Sequence, residues 1–348
     1  MANFLPVRDD LSGAIAEKAK LLYELLLQVR VDELGLPYHC LAYFKGSHYK
    51  RLYFSIETSA HLLYRAIVAV NKPVKEITLM DYGAGVGTMY SLAKMIGCKK
   101  VIYNDHLHDW KQSAELIGRA MAVQVDEYIV GDIDDTLAAL RQKDICCDII
   151  TTRNVIEHIY KLDHFYSETA AHQPAAWIYS STTANYKNPA SRIKHWLWHR
   201  KWEKQFLPQR ANIIASLVPQ LTPSEVDRLA RLTRGKAGED ISTSVSSYVH
   251  NKAYPVLGNI GSNTCDPESG VWFEHMISFG EYRKFIENGH YRASFYPGFW
   301  DTHYRNKLMN GTGRVLNTII NCSNSIGLRI APFIYVVAEP TNRKVVSL

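Results

Sequence analysis

No stretch of this chain approaches the roughly 18 uncharged apolar residues that a membrane-spanning helix needs, so a helical membrane span is not expected. Cysteine is sparse. Cys40, Cys98, Cys146, Cys147, Cys265 and Cys322 form no CxxC pair and no regular spacing, and reduced thiols in the cytoplasm are the expected state. The opening MANFLPVRDD lacks the basic-then-apolar profile of a secretory signal, which gives the same cytoplasmic expectation. Repeats and low-complexity runs are absent. Charge of one sign is not in large excess either. Lys plus Arg is 40 against 34 Asp plus Glu, a net +6, and diffuse charge of that size selects no class of partner. What is present is an ordinary globular mixture, 47% apolar, 11% aromatic and 21% charged over 348 residues. That excludes a disordered chain, a collagen-like fibre and a coiled coil, and it fits one large domain or two small ones.

The chain opens with helical patterning over 1–72. Ser12 is placed to cap a helix in which Ile15, Leu21, Leu22, Leu25, Leu26 and Val29 recur at helical spacing, with Gly35 and Pro37 ending it. A second helix is expected from Ser55, carrying Ala60, Leu63, Tyr64, Ile67 and Val68 and stopping before Pro73. From residue 77 the rhythm changes. Short apolar runs at 77–81, 101–105, 128–132, 148–152 and 176–181 are mostly separated by helix-length segments. Strands alternating with helices imply a parallel sheet covered on both faces, and the carboxyl edge of such a sheet is where ligands bind. Three of the runs end in Asp, at Asp81, Asp105 and Asp132.

Residues 189–235 read as further helices rich in Arg, Lys and Trp, with the side that carries Trp198 and Trp202 expected to pack on the sheet and the charges solvated. Residues 236–272, rich in Gly, Ser, Thr and Asn, read as a long mobile loop. A helix over 279–288, ended by Gly289, and two last strands at 293–296 and 332–338 complete the reading. The expected divisions are an N-terminal helical cap (1–72), a binding core (73–185), a helical insert with a flexible loop (186–272) and the rest of the sheet (273–348).

The strongest signal is Asp81-Tyr82-Gly83-Ala84-Gly85-Val86-Gly87-Thr88, between an apolar strand and a helical run. Glycines at alternate positions allow a tight turn and let backbone N–H groups approach a ligand, and a helix N-terminus behind them favours negative charge. A dinucleotide fingerprint, GxGxxG, would need its third Gly or Ala at residue 88, where this chain has Thr. An acid two places before the first Gly also sits poorly beside a pyrophosphate, whereas Asp81 suits a cationic group such as an α-amine. Asp105, 18 residues beyond Gly87, can accept hydrogen bonds from ribose hydroxyls, and Asp132 can accept one from an adenine amino group. An amine, a ribose diol and an adenine along one edge amount to S-adenosyl-L-methionine (SAM).

On DYGAGVGT, YND at Asp105, GDI at Asp132 and CDIITTRNVIEHI (147–159), the sequence resembles the class I SAM-dependent methyltransferase family. The resemblance covers about residues 77–181, and extends less specifically to EHMISFGEYRKFIENG (274–289) and PFIYVVA. It implies a doubly wound, Rossmann-like α/β fold: a seven-stranded, mostly parallel sheet with its last strand antiparallel and helices on both faces. To this the chain would add its N-terminal helices and a helical insert before the last two strands. It also implies that Asp81, Gly83, Gly85 and Gly87 hold the methionine part, Asp105 the ribose, and Asp132 with Ile133 the adenine. Asn154 would lie near the methionyl moiety.

Transfer of a methyl from a sulfonium to a hydroxyl releases a proton, so a base helps. His158, oriented by Glu157, is the first candidate and His275 the second. Tyr49, Tyr53 and Tyr186 are possible substrate contacts. A related subfamily, the small-RNA 3′-terminal 2′-O-methyltransferases, carries ExxEH here and uses a metal; Asn154 replaces the first Glu, so no metal is expected. The expected acceptor is a small molecule or glycan, most simply at oxygen. An RNA methyltransferase, which would need a contiguous basic groove, and a non-catalytic SAM-fold scaffold are the competing readings, with NAD binding a further one. No membrane span is expected and the oligomeric state is left open.

Overall fold

A computed structural model describes residues 4–341; residues 1–3 and 342–348 of the expected terminal segments lie outside the described residues. The chain opens with α1 (Asp10–Gln28), α2 (Tyr38–Tyr43) and α3 (Leu52–Val70). Strands and helices then alternate through β1 (Thr78–Asp81), α4 (Met89–Met95), β2 (Lys100–Asp105), α5 (His108–Ala120), β3 (Glu127–Val130), α6 (Ile133–Gln142), β4 (Ile149–Arg153), α7 (Leu162–His172) and β5 (Trp177–Thr182). The insert follows as α8 (Pro189–Leu217), α9 (Pro223–Leu232) and α10 (Gly238–Asn251). Last come α11 (Phe279–Asn288), β6 (Tyr291–Pro297), α12 (Lys307–Cys322), α13 (Asn324–Ile330) and β7 (Ile334–Pro340).

The strands form one seven-stranded sheet in the order β3-β2-β1-β4-β5-β7-β6. β1 pairs in parallel with β2 and β4, β2 with β3, and β4 with β5. β7 is antiparallel to both β5 and β6. The fold is therefore the expected Rossmann-like, doubly wound α/β sheet, with one antiparallel strand inserted late. Successive side chains on a strand point to opposite faces, and the two cores follow that alternation. Leu79, Val101 and Ile149 pack with Leu22, Leu63, Leu92 and Ile117 of α1, α3, α4 and α5 on one face. Met80, Ile102 and Ile150 pack with Leu137, Phe165, Ile286 and Leu328 of α6, α7, α11 and α13 on the other. No helix among the described residues is long and apolar enough to cross a membrane.

Several local expectations are corrected. α1 is capped by Asp9, not Ser12; Ser12 sits three residues on and closes a capping box with it. α3 opens at Leu52, ahead of Ser55, and ends on Asn71 in the left-handed conformation. The expected loop over 236–272 contains α10, a 14-residue helix. Its Ser- and Thr-rich composition disfavours helix, yet Ile241, Val245 and Tyr248 share one face and pack with Ile214 and Leu229 in a separate small core. Tertiary burial outweighs propensity there. The buried face of α8 carries His195, His199, Phe206, Arg210 and Ile214. On the expected Trp side, Trp198 is 38% exposed and Trp202 packs on Phe206 and Phe273, so that side meets the insert and the 273 segment and does not pack on the sheet. Finally, β3 ends at Val130, so Asp132 lies past the strand, at the N-cap of α6.

Candidate functional site

At the carboxyl edge, β1 ends in Asp81 and the glycine turn leads into α4. Gly83 and Gly85 have φ of +67° and +54°, where a Cβ is costly. A Cβ on Gly83 would also lie 2.6 Å from Val155 Cγ2, whereas at Gly85 nothing lies within 4 Å and that side of the turn is open. The Gly87 N–H donates to the Ala84 carbonyl at 2.8 Å and closes the turn.

Asp81 faces inward and is only 3% exposed. Its carboxyl accepts from Thr151 Oγ1 at 3.0 Å and from the Tyr90 N–H, in the first turn of α4, at 3.2 Å. Burial pushes it up to about 7, against the opposing pull of those hydrogen bonds and of Arg153. Asp81 thus braces the turn from beneath, and the start of α4 already has its own carboxyl group.

Asp105 meets the turn directly. Its Oδ2 accepts from the Gly85 N–H at 2.9 Å, and its Oδ1 accepts from the Leu107 N–H at 3.2 Å and faces His106 Nδ1 at 3.2 Å. A carboxylate offers about four lone-pair sites, so acceptor capacity remains. Asp132 is exposed. Its Oδ1 accepts from the N–H groups of Asp134 and Asp135 at 2.9 and 3.2 Å, the ordinary work of an N-cap. Ile133 beside it is buried.

β4 ends in Arg153, and Asn154 follows with φ +57°. Both line a cavity of about 490 Å³ above β4 and β5. Its walls come from five separate stretches: Tyr43 to Thr58, Arg153 and Asn154, Ser181 to His195, Trp300 to Tyr304, and Pro332 with Phe333. The histidine of α8 in this cavity is His195, which sequence reasoning missed. Its Nδ1 donates to the Ser191 carbonyl at 2.7 Å, and its Nε2 faces Glu274 Oε2 at 3.3 Å. Glu274 also accepts from Thr183 Oγ1 at 3.1 Å. Burial works to raise Glu274, but the His195 hydrogen bond and the charge of His158 hold it below the ordinary carboxylate value. The available sequence signal was the i, i+4 spacing of His195 and His199 on one helix face.

The two sequence-derived base candidates lie elsewhere. Half-buried His158 lines neither this cavity nor the larger one. Its Nδ1 donates to the Trp272 carbonyl at 2.8 Å, leaving Nε2 as the acceptor of the neutral ring. Glu157 does not orient it: both Glu157 oxygens are buried without a hydrogen-bond partner. Burial drives Glu157 up to about 7. His275 stacks on Trp272, ring centroids 4.0 Å apart, and lines a second cavity of about 850 Å³ with Tyr186 and Trp196. Burial and then His199 push it down to about 3. Tyr49 is exposed, and Tyr53 packs between Phe4 and His303, outside the smaller cavity. Among the described residues no three His, Cys, Asp or Glu side chains gather to hold a metal ion.

No family model matches the sequence, and no curated protein does. Among solved structures, the fold is similar to a SAM-dependent methyltransferase from Archaeoglobus fulgidus, 14% identical over 87% of this chain and 100% of that one, with a TM-score of 0.38. It is similar also to an S-adenosylmethionine-dependent methyltransferase from Clostridium acetobutylicum, at 14% identity over 36% and 50% of the two chains and a TM-score of 0.29. A third, Thermoplasma acidophilum 1320, is 16% identical over 48% and 70%, with a TM-score of 0.30. Likenesses this distant carry no residue roles, which must come from the chain's own geometry.

Proposed function

We propose that this protein is a SAM-dependent methyltransferase acting on a small molecule or glycan, at oxygen. The observation that carries the reading is the hydrogen bond from the Gly85 N–H to Asp105 Oδ2. It joins the triple-glycine turn to the acid at the end of β2, beside open space at Gly85 and at the edge where doubly wound sheets bind ligands.

The residues fit the cofactor. Asp105 has acceptor capacity left for ribose hydroxyls, and Asp132 Oδ2 is not used by the N-cap bonds and can meet an adenine amino group. Ile133 offers apolar surface, and Gly83, Gly85 and Gly87 offer close backbone approach to the methionine part. Asp81 acts beneath them, holding the turn in shape. Asn154, on the cavity wall, adjoins the methionyl end. When bound, SAM supplies an electrophilic methyl on a sulfonium.

The protein's main contribution is then alignment of acceptor oxygen, methyl and sulfur. The 490 Å³ cavity is of small-molecule size. His195 lines it, with its Nε2 3.3 Å from Glu274 Oε2, so this imidazole, backed by that carboxylate, is our preferred acceptor of the hydroxyl proton. His158, with Nε2 free, and His275 stay as alternatives that reach a substrate only from outside this cavity.

The test is ligand-induced stabilisation of the full chain. SAM should raise the melting temperature and NAD should not, because only a ligand of the native state stabilises it. No shift with SAM at millimolar concentration would remove the proposal.

A further inference from the structure

The smaller cavity holds more positive charge than its surroundings neutralise. Arg51, Arg153 and Lys194 all line it, against one lining carboxylate, Asp301. Among the described residues none of the three cations forms an ion pair with a carboxylate. Arg51 lies over the Phe54 ring at 5.1 Å and Lys194 over the Trp198 ring at 4.2 Å. Arg153 is half-buried, and its neighbour Asp81 is already engaged by Thr151 and Tyr90. Asp301 is turned to His303, accepting from its N–H at 2.8 Å. Nearby Glu57 is pushed up to about 8 by burial and then by Asp301, toward its neutral form. His48, driven down to about 3 by burial and then by Arg153, adds no charge of its own. Two guanidinium groups and an ammonium lining one small cavity concentrate positive charge there, and charge-assisted hydrogen bonds to an anion are the strong interactions such a set can make. A sulfonium at the same edge would add further positive charge. The wall also carries the aromatic side chains of Tyr43, Phe54, Trp300, Tyr304 and Phe333, among hydroxyl and amide residues.

We propose that this cavity binds an acceptor carrying a carboxylate or phosphate on a ring, with the anion met by Arg51, Arg153 and Lys194 and the ring by the aromatic wall. The inference rests on the methyltransferase reading for what happens to the ligand, though not for the ligand's charge. The same anion chemistry could come from the carboxylate of SAM, because Arg153 approaches the glycine turn: its Nη2 is 3.9 Å from where a Gly87 Cβ would lie. Arg51 and Lys194 stand on other walls and separate the two sources.

The experiment measures binding of phenyl phosphate and of phenol to the full chain by calorimetry, with and without SAM. Phenyl phosphate should bind and phenol should not. Arg51→Ala and Lys194→Ala, both exposed positions, should each weaken phenyl phosphate about tenfold while leaving the SAM-induced rise in melting temperature intact. Arg51→Lys should recover most of the loss, which a merely structural role would not predict. Equal binding of phenol, or unchanged phenyl phosphate binding in Arg51→Ala, Lys194→Ala and Arg153→Ala, overturns the proposal. Loss of SAM binding alone in Arg153→Ala, with phenyl phosphate unaffected in all three variants, would also overturn it and assign that guanidinium to the cofactor. Selective phenyl phosphate binding by a protein that ignores SAM would sustain the anion site and defeat the methyltransferase reading instead.

Discussion

The Gly85 N–H donates to Asp105 Oδ2 at 2.9 Å across 20 residues of sequence. One carboxylate therefore both shapes the open side of the glycine turn and stands where a ribose diol would be received. Replacing it separates these roles. Asp105→Ala should abolish the melting-temperature rise caused by SAM. Asp105→Asn, which still offers one oxygen to Gly85, should keep the unliganded melting temperature and weaken SAM by about tenfold, the loss of one charged hydrogen bond. Calorimetric titration of both variants checks this; wild-type affinity in Asp105→Ala would remove Asp105 from the cofactor site.

Gly83 and Gly85 should respond to alanine differently. At Gly83 the new methyl meets Val155 at 2.6 Å and also adopts φ +67°. Left-handed strain costs about 1–2 kcal/mol and overpacking about 1–3 kcal/mol, so Gly83→Ala should lose roughly the sum. Adding Val155→Ala should relieve the clash and leave the strain. At Gly85 the methyl enters open space, so Gly85→Ala should lose only the strain energy yet impair SAM binding. Urea unfolding and SAM titration of the three variants test the contrast. Equal destabilisation at both glycines would show that the Val155 contact does not limit the turn.

The legible parts of this molecule were local in sequence. The β1 strand, the glycine turn and Asp105 all lie between residues 78 and 105, so strand alternation and turn chemistry were enough to set them on one edge. The antiparallel placement of the last strand followed only from the family resemblance. The cavity was not legible, because Tyr43, Asn154, His195 and Trp300 meet through tertiary packing and no spacing links them. His195 was hidden inside a helix whose exposed side is crowded with Trp, Arg and Lys. α10 was hidden by its Ser-rich composition, since its stability resides in contacts with Ile214 and Leu229 on other helices. α12 and α13 escaped notice for a similar reason: Gly311, Gly313 and several Asn interrupt the pattern, and Gly313 is kept small by the Asp301 carbonyl, 2.8 Å from where its Cβ would be.

The three histidines can be ranked by substitution. His195→Gln should lower turnover of a hydroxyl acceptor by about a hundredfold or more, the usual worth of a positioned general base, while SAM binding survives. His158→Ala and His275→Ala should change turnover much less. Glu274→Gln should shift the pH–rate profile as well as its height, because it removes the negative charge that faces His195 Nε2 at 3.3 Å. A larger loss in His158→Ala than in His195→Gln, measured by transfer of labelled methyl, would return the base role to His158.

Glu157 gives a stability prediction that needs no ligand. The carboxyl is buried with neither oxygen hydrogen-bonded, and burial raises it from 4.5 to about 7. A carboxyl raised on folding binds its proton more tightly in the native chain. Its contribution is therefore complete below pH 4.5 and is lost as pH climbs through about 7. The change amounts to about 3 kcal/mol for one such group. Glu157→Gln cannot ionise, so its stability relative to wild type should improve by about that amount between pH 5 and pH 8. Urea unfolding at the two pH values measures the difference directly. Parallel profiles for the two proteins would mean that Glu157 finds a charged partner in solution, and His158, whose charge acts on it most strongly after burial, would be the first to examine by Glu157→Gln/His158→Ala.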